Sequence, residues 1–279
     1  VAAGNPSWQG EDGNAGAADR EQESTGADGL KTEQTGAGSA LSASSLARLQ
    51  DYDYLIKQYF SVHASTTADR SLMKVEKLLG TDVRLTKNPD VPQILIYHTH
   101  ASETYADYGP QNPDASVAGA GSYLAELLRQ RGWNVIHDTT AYDRKEGKLE
   151  RSRAYTYALE GVQGILQEHP TIEVILDLHR DGVSDSLRLV QEIQGKPTAK
   201  IMFFQGMSRT PEGEIAYLPN PYLQENLAFC FQMQLACGRY PGFTRKIYLK
   251  GLRYNLHLRG RSSLIEAGAQ TSTKEEVWN

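Results

Sequence analysis

The stretch "IEVILDL", residues 172–178, constrains this chain more than any other. Apolar side chains stand on both of its alternating faces, the pattern of a strand covered from two sides. "QILIY" (93–97) repeats it, and both belong to a regular alternation. An amphipathic helix over "AGSYLAELLRQRG" (120–132) follows the first, closed by Gly132. A strand, "WNVIHD" (133–138), and a long helix, "SRAYTYALEGVQGILQEHP" (152–170), lead to the second. Further along, "LRLVQEI" and "KIMFFQ" read as a strand pair and "YLQENLAFCFQMQLACGRY" (222–240) as a helix, with "KIYLK" and "SSLIEA" closing the series. Strand–helix repeats with doubly buried strands predict an α/β fold, a mainly parallel twisted sheet flanked by helices.

Ahead of Gln93 the pattern changes. "LARLQDYDYLIKQYF" and "SLMKVEKLLG" have helical apolar spacing, and "NPDVP" then excludes a continuing helix, so residues 46–92 read as a helical lead-in to a domain at 93–279. Residues 1–45 differ again. Seven acids against Arg20 and Lys31 carry the whole formal net charge of −5, and large apolar residues are few. Such a segment buries too little to offset the entropy of ordering it and is expected to be a disordered, acidic, Gly-rich linker. The remainder is electrically balanced, without a lysine/arginine block, which argues against nucleic acid as a partner. No run of 18 apolar residues offers a membrane span. Cys230 and Cys237 lie too far apart along one helix to be bridged and read as small core side chains.

In open α/β sheets functional groups gather beyond the carboxyl ends of strands. "ILIY" ends in His98-Thr99-His100 with Glu103 following; "VILDL" ends in His179-Arg180-Asp181; "SSLI" ends in Glu266. One histidine after a strand is ordinarily a hydrogen-bonded loop residue. His98 and His100 together point further, because side chains two apart in an extended chain share a direction. Two histidines and a carboxylate suit Zn²⁺ with one position open, and a further carboxylate would serve as general base. Asp177, set between leucines, suits a role orienting a ligand histidine.

The set "LIYHTHASETY", "VIHDTT", "VILDLHRD", "NPYLQENLAF", "YPGFTRKIYLKGLRYN" and "SSLIEAGAQTSTKEE", in this order, resembles the stage II sporulation protein P family over roughly residues 50–279. The resemblance implies a zinc N-acetylmuramoyl-L-alanine amidase fold (phosphorylase/hydrolase-like). It implies a metal held by His100, Glu103 and His179, and Glu266 as the catalytic acid–base. In the wider amidase pattern the ligand glutamate lies further downstream, near the next helix. Here only Glu103, Asp107 and Asp114 precede that helix, and Glu103 is the choice. His98 stays open, either a ligand in place of His100 or a support behind it.

The implied activity is peptidoglycan hydrolysis at the N-acetylmuramoyl-L-alanine bond during engulfment in endospore formation, with cleavage of stem-peptide cross-links as a second activity. The implied partners are peptidoglycan, a stage II sporulation protein D-type lytic transglycosylase and a membrane-anchored engulfment complex. The implied location is extracytoplasmic, with residues 1–45 as a tether from an N-terminal anchor that this chain, beginning at Val1, does not include. Arg151, Arg153, Arg180 and Arg253 recur in these motifs beside Asn226 and Asn255, and one or two of the arginines would grip stem-peptide carboxylates. Two rivals stand against this reading. A (β/α)₈ amidohydrolase barrel needs more strands than the chain offers and more ligands than His257 after His179. A non-catalytic, zinc-stabilised module binding peptidoglycan or a partner is the alternative from a different class.

Overall fold

The computed structural model describes residues 42–279; the linker expected at 1–45 therefore lies almost wholly outside the described residues. Seven strands form the main sheet: β1 (Phe60–Val62), β2 (Ile94–Tyr97), β3 (Val135–His137), β4 (Val174–Asp181), β5 (Ile201–Gly206), β6 (Ile247–Lys250) and β7 (Ser262–Ala269). Their spatial order is β1-β6-β5-β7-β4-β2-β3. Every neighbouring pair is parallel except β5 and β7, which run antiparallel with Leu264 opposite Phe204. The sheet is thus α/β and mainly parallel, but it is two parallel halves joined head to tail along one seam. β7, β4, β2 and β3 end at one edge, and β5, β6 and β1 end at the opposite edge.

Helices α1 (Ala43–Gln50), α2 (Tyr52–Tyr59), α3 (Val75–Gly80), α4 (Val117–Gln130), α5 (Ala154–Glu168), α6 (Leu223–Cys237) and α7 (Lys274–Trp278) cover the sheet. The apolar stretch at 46–60 is divided by Asp51, whose carboxylate accepts from the backbone N–H groups of Asp53 and Tyr54 and caps α2. Strand alternation sorts the core. Ile94, Ile96, Val174, Leu176, Leu178, Ile265 and Ala267 pack with residues of α4 and α6. Leu95, Tyr97 and Ile175 pack with Ala158, Val162 and Leu166 of α5 on the other face.

Two readings of the sequence need correction here. "KIMFFQ" does not pair with "LRLVQEI". Residues 190–193 fold back on 196–199 as a separate hairpin, and β5 enters the main sheet between β6 and β7. The lead-in is not purely helical either. Its β1 forms the sheet's edge beside β6, and α3 lies against α6.

Candidate active site

Alternation decides which strand-end side chains meet. Asp177 and His179 of β4 and Glu266 of β7 fall on the α5 side of the sheet, and Glu266 stands directly opposite His179 in the β4–β7 register. Just beyond Glu266 the register slips before Ala269, with Gly268 at φ 66°, a bulge that ends regular pairing at the site. From β2 the chain leaves the sheet after Tyr97 and turns. Glu103 N–H donates to the His100 carbonyl, and Val117 N–H donates to the Glu103 carbonyl, which fixes the turn against the start of α4.

The result is a buried group of five: His100, Glu103, Asp177, His179 and Glu266. The His100 and His179 rings stand 5.3 Å apart, centroid to centroid, nearly perpendicular. Glu103 Oε2 lies 3.6 Å from His179 Nδ1, and the Arg180 N–H donates to the same oxygen at 3.2 Å. His179 Nε2 lies 2.8 Å from Asp177 Oδ1. Asp177 also accepts the backbone N–H and the hydroxyl of Thr99, at 2.8 and 2.6 Å, so its own position is fixed. Glu266 is 1% exposed, and neither of its carboxylate oxygens has a hydrogen-bond partner among the described residues; the same holds for His100 Nδ1.

The electrostatics follow from this packing. Burial alone would lower the His179 pKa, but Asp177 and Glu103 outweigh it and hold the ring proton well above the usual range. Asp177 and Glu103 are correspondingly held low, against burial, with His179 the main cause at each. Burial, reinforced by His179, lowers His100 to about 4. Burial raises Glu266 to about 8, with His179 opposing and Asp181 and Glu103 adding. A carboxyl group with a pKa in this range is suited to taking and returning a proton near neutrality.

Among the described residues no three histidine, cysteine or acidic side chains are already drawn around a point that would hold a metal ion. The donor chemistry nevertheless fits one. Two carboxylates around His179 call for positive charge at its ring, and a proton or a divalent cation on Nδ1 would satisfy them. With Nε2 in close contact with Asp177, Nδ1 is the nitrogen left for a ligand role, and a carboxylate beside a ligand imidazole is a common metal-site arrangement. Two imidazoles on one tetrahedral zinc, with Zn–N near 2.0–2.1 Å, would stand roughly 5 Å apart between ring centres, close to the separation seen here.

His98 does not join this group. Despite its spacing from His100 it continues the alternation of Ile94 and Ile96 and points to the α4 side. Nδ1 meets the Leu178 carbonyl at 2.8 Å, and Nε2 meets His137 Nε2 at 2.9 Å. Gly121 of α4 lies against this pair; a Cβ there would sit 2.6 Å from His137 Nε2 and 2.7 Å from His98 Nε2. His98 therefore braces α4 against β4, and the shared direction read from the H-x-H spacing fails because the strand ends at Tyr97 and the chain turns at Thr99 and His100.

The recurring polar residues fall into place as tethers. Arg180 binds the carbonyls of Thr104 and Asp181, Asn255 donates to the Tyr155 carbonyl, and Arg253 reaches the Pro219 carbonyl. Asn226 joins the Leu256 carbonyl and the Ser262 N–H, ahead of β7. Two groups near the site were not singled out from sequence. Tyr105 has a buried hydroxyl without a hydrogen-bond partner among the described residues, and Glu103 and Glu266 both act on it electrostatically. Tyr155 sets its ring edge-on to His100, 5.7 Å between centres. Tyr105 lay in view next to Glu103; nothing in the sequence marks Tyr155, which a helix start brings from far along the chain.

The family model described as stage II sporulation protein P matches residues 11–279. No curated protein matches the chain. Among solved structures, the apo form of the N-acetylmuramyl-L-alanine amidase Ami1 from Mycobacterium abscessus is similar over 67% of this chain and 93% of its own, with 12% identity and a TM-score of 0.33.

Proposed function

Since the chain belongs to the stage II sporulation protein P family, we propose that it is a zinc-dependent peptidoglycan hydrolase that cleaves the N-acetylmuramoyl-L-alanine amide during engulfment. Membership of the family supports a peptidoglycan-related role in sporulation. The finer reading rests on one observation: a fully buried Glu266, with both oxygens unpartnered among the described residues, beside the His100, Glu103 and His179 group.

In this reading His100, Glu103 and His179 hold the metal, and Asp177 keeps the His179 ring oriented through Nε2. A zinc ion bound there supplies Lewis-acid polarisation of a carbonyl and a lowered pKa for water. Glu266 accepts a proton from the attacking water and delivers it to the departing amide nitrogen, which breaks the C–N bond and leaves a carboxylate and an amine. Tyr155 and the turn at 100–103 hold His100 in place. Stem-peptide cross-links, also amides, are a second substrate for the same groups. The partners in this reading are a stage II sporulation protein D-type lytic transglycosylase and a membrane-anchored complex outside the cytoplasm, with the N-terminal segment as tether.

The test is elemental analysis for zinc on the parent and on His179→Ala, with release of dye-labelled cell wall assayed for both. About one zinc per chain, and loss of zinc and release together in the variant, is the expected result. Release that survives the substitution would overturn the assignment.

A further inference from the structure

Beside the site, residues 142–153 form a feature that the proposed chemistry does not use. Arg144–Lys145 pairs antiparallel with Lys148–Leu149, closed by a two-residue turn in which Glu146 and Gly147 have φ of 50° and 79°. The root of this hairpin is fixed. Tyr142 is buried with its hydroxyl donating to Asp138, and it lies so close to Gly161 of α5 that a Cβ there would be 2.0 Å from the hydroxyl oxygen. Asp143, fully buried, accepts the backbone N–H and the hydroxyl of Ser102, between His100 and Glu103. At the other end Arg151 Nη1 stands 3.7 Å from Glu103 Oε1. The hairpin is thus bolted to the site wall at both feet, while residues 144–149 are exposed.

Its charge pattern works against its own stability. Register sets Lys145 directly opposite Lys148, a like-charge pair across a two-stranded ribbon, which is destabilising. Among the described residues neither lysine has a carboxylate partner, nor does Arg144, whose guanidinium reaches only the Gly147 carbonyl. Lys145 lies over the Tyr157 ring, 5.5 Å from its centre. An exposed tip with three cations lacking a carboxylate partner, two of them set opposite each other, against the single acid Glu146 in its turn, is arranged for an anion from outside. Lys148 is three residues from Arg151, about 10 Å in extended chain, the span of a three-residue peptide.

We propose that the hairpin at 144–149, with Arg151 at its foot, binds the free carboxylates of the stem peptide whose amide lies at the site, and so selects carboxylate-bearing over amidated peptide. This rests on the hydrolase reading for the identity of the ligand. The test measures binding and leaves turnover aside. It uses the full chain carrying Glu266→Gln and calorimetric titration of an N-acetylmuramoyl tripeptide with free side carboxylates, and of the same molecule with them amidated. With the hairpin intact the free form binds roughly tenfold tighter, as a few exposed charge contacts allow, and the preference shrinks as salt is added. With Arg144→Gln, Lys145→Gln and Lys148→Gln together the preference disappears.

Lys148→Glu separates this from a structural role. It replaces a repulsive cross-strand pair with an attractive one, so the melting temperature holds or rises while the preference falls. Equal binding of both forms with the hairpin intact, no binding of either, or a preference that survives the triple substitution overturns the proposal. So does binding of inorganic polyphosphate in place of the peptide. A hairpin-dependent preference in a parent protein that hydrolyses neither form would leave the proposal standing and remove the hydrolase reading.

Discussion

The two halves of the sheet are built from similar strands and put to different use. In β5, β6 and β1 the only charged residue is Lys250, and Phe60, Phe203, Phe204, Ile247 and Leu249 are buried. In β7 and β4 the same depth holds Asp177, His179, Asp181 and Glu266. Burying one unpaired ion costs far more than burying a methylene gains, so each charge in the second set must be answered by another group. Asp177 is answered by Thr99 and His179, and Asp181 by Arg245 and the Gly182 N–H. Glu266 is not answered by any hydrogen-bond partner among the described residues, and burial pushes its pKa up to about 8. One half supplies the adhesion that lets the other hold groups that do not stabilise the fold.

Substitutions can sharpen that contrast or break it. The largest expected effect is Glu266→Gln: cell-wall release falls by about 10²–10⁴-fold, while the melting temperature stays level or rises because an amide replaces a buried carboxyl group. A marked fall in stability with activity retained would place Glu266 among the structural groups. Leu249→Ala should do the reverse. A fully buried side chain lost from the apolar half costs about 2–5 kcal/mol, read by denaturant unfolding, with release per folded molecule unchanged.

Gly121→Ala is smaller, about 1–3 kcal/mol, since its Cβ would drive into the His98–His137 pair. Lost zinc at unchanged stability there would mean that His98 belongs to the site after all. The smallest is a pH effect. Burial lowers both His98 and His137, the latter to about 4 with the His98 ring adding to it. The unfolded chain takes up these protons near pH 6.5 and the folded chain only at lower pH, so their contribution is complete above 6.5 and is lost as pH falls. Melting temperatures from pH 7 to 4.5 should decline, and less steeply for His137→Gln.

Much of this was legible in the sequence. Doubly apolar runs and helical spacing between them are local properties, and they named the strands, the helices and the three strand ends from which the site is drawn. What local pattern does not carry is direction. "KIMFFQ" reads as a buried strand whichever way it runs, so neither its place between β6 and β7 nor the reversal at the seam was visible. The three residues of β1 were hidden at the end of a helical repeat. The role of His98 stayed open in the sequence for a related reason. Alternation applies only while the chain remains extended, and whether the strand stops at Tyr97 or at Thr99 is a matter of one or two residues. The contacts of Ser102 with Asp143 and of Glu103 with Arg151 join distant stretches and carry no periodic signature.

The edge strand β1 has a consequence for how the molecule comes into being. Its only sheet partner among the described residues is β6, and almost all the remaining strands are made between the two. As the chain emerges from the ribosome, or threads through an export channel, Phe60–Val62 must wait with its backbone groups unpaired until Lys250 has followed. Closing so long a loop is slow and comes late, and until then the nascent chain exposes apolar surface that invites aggregation. The first strand of the sheet to be synthesised is thus one of the last that can be laid down.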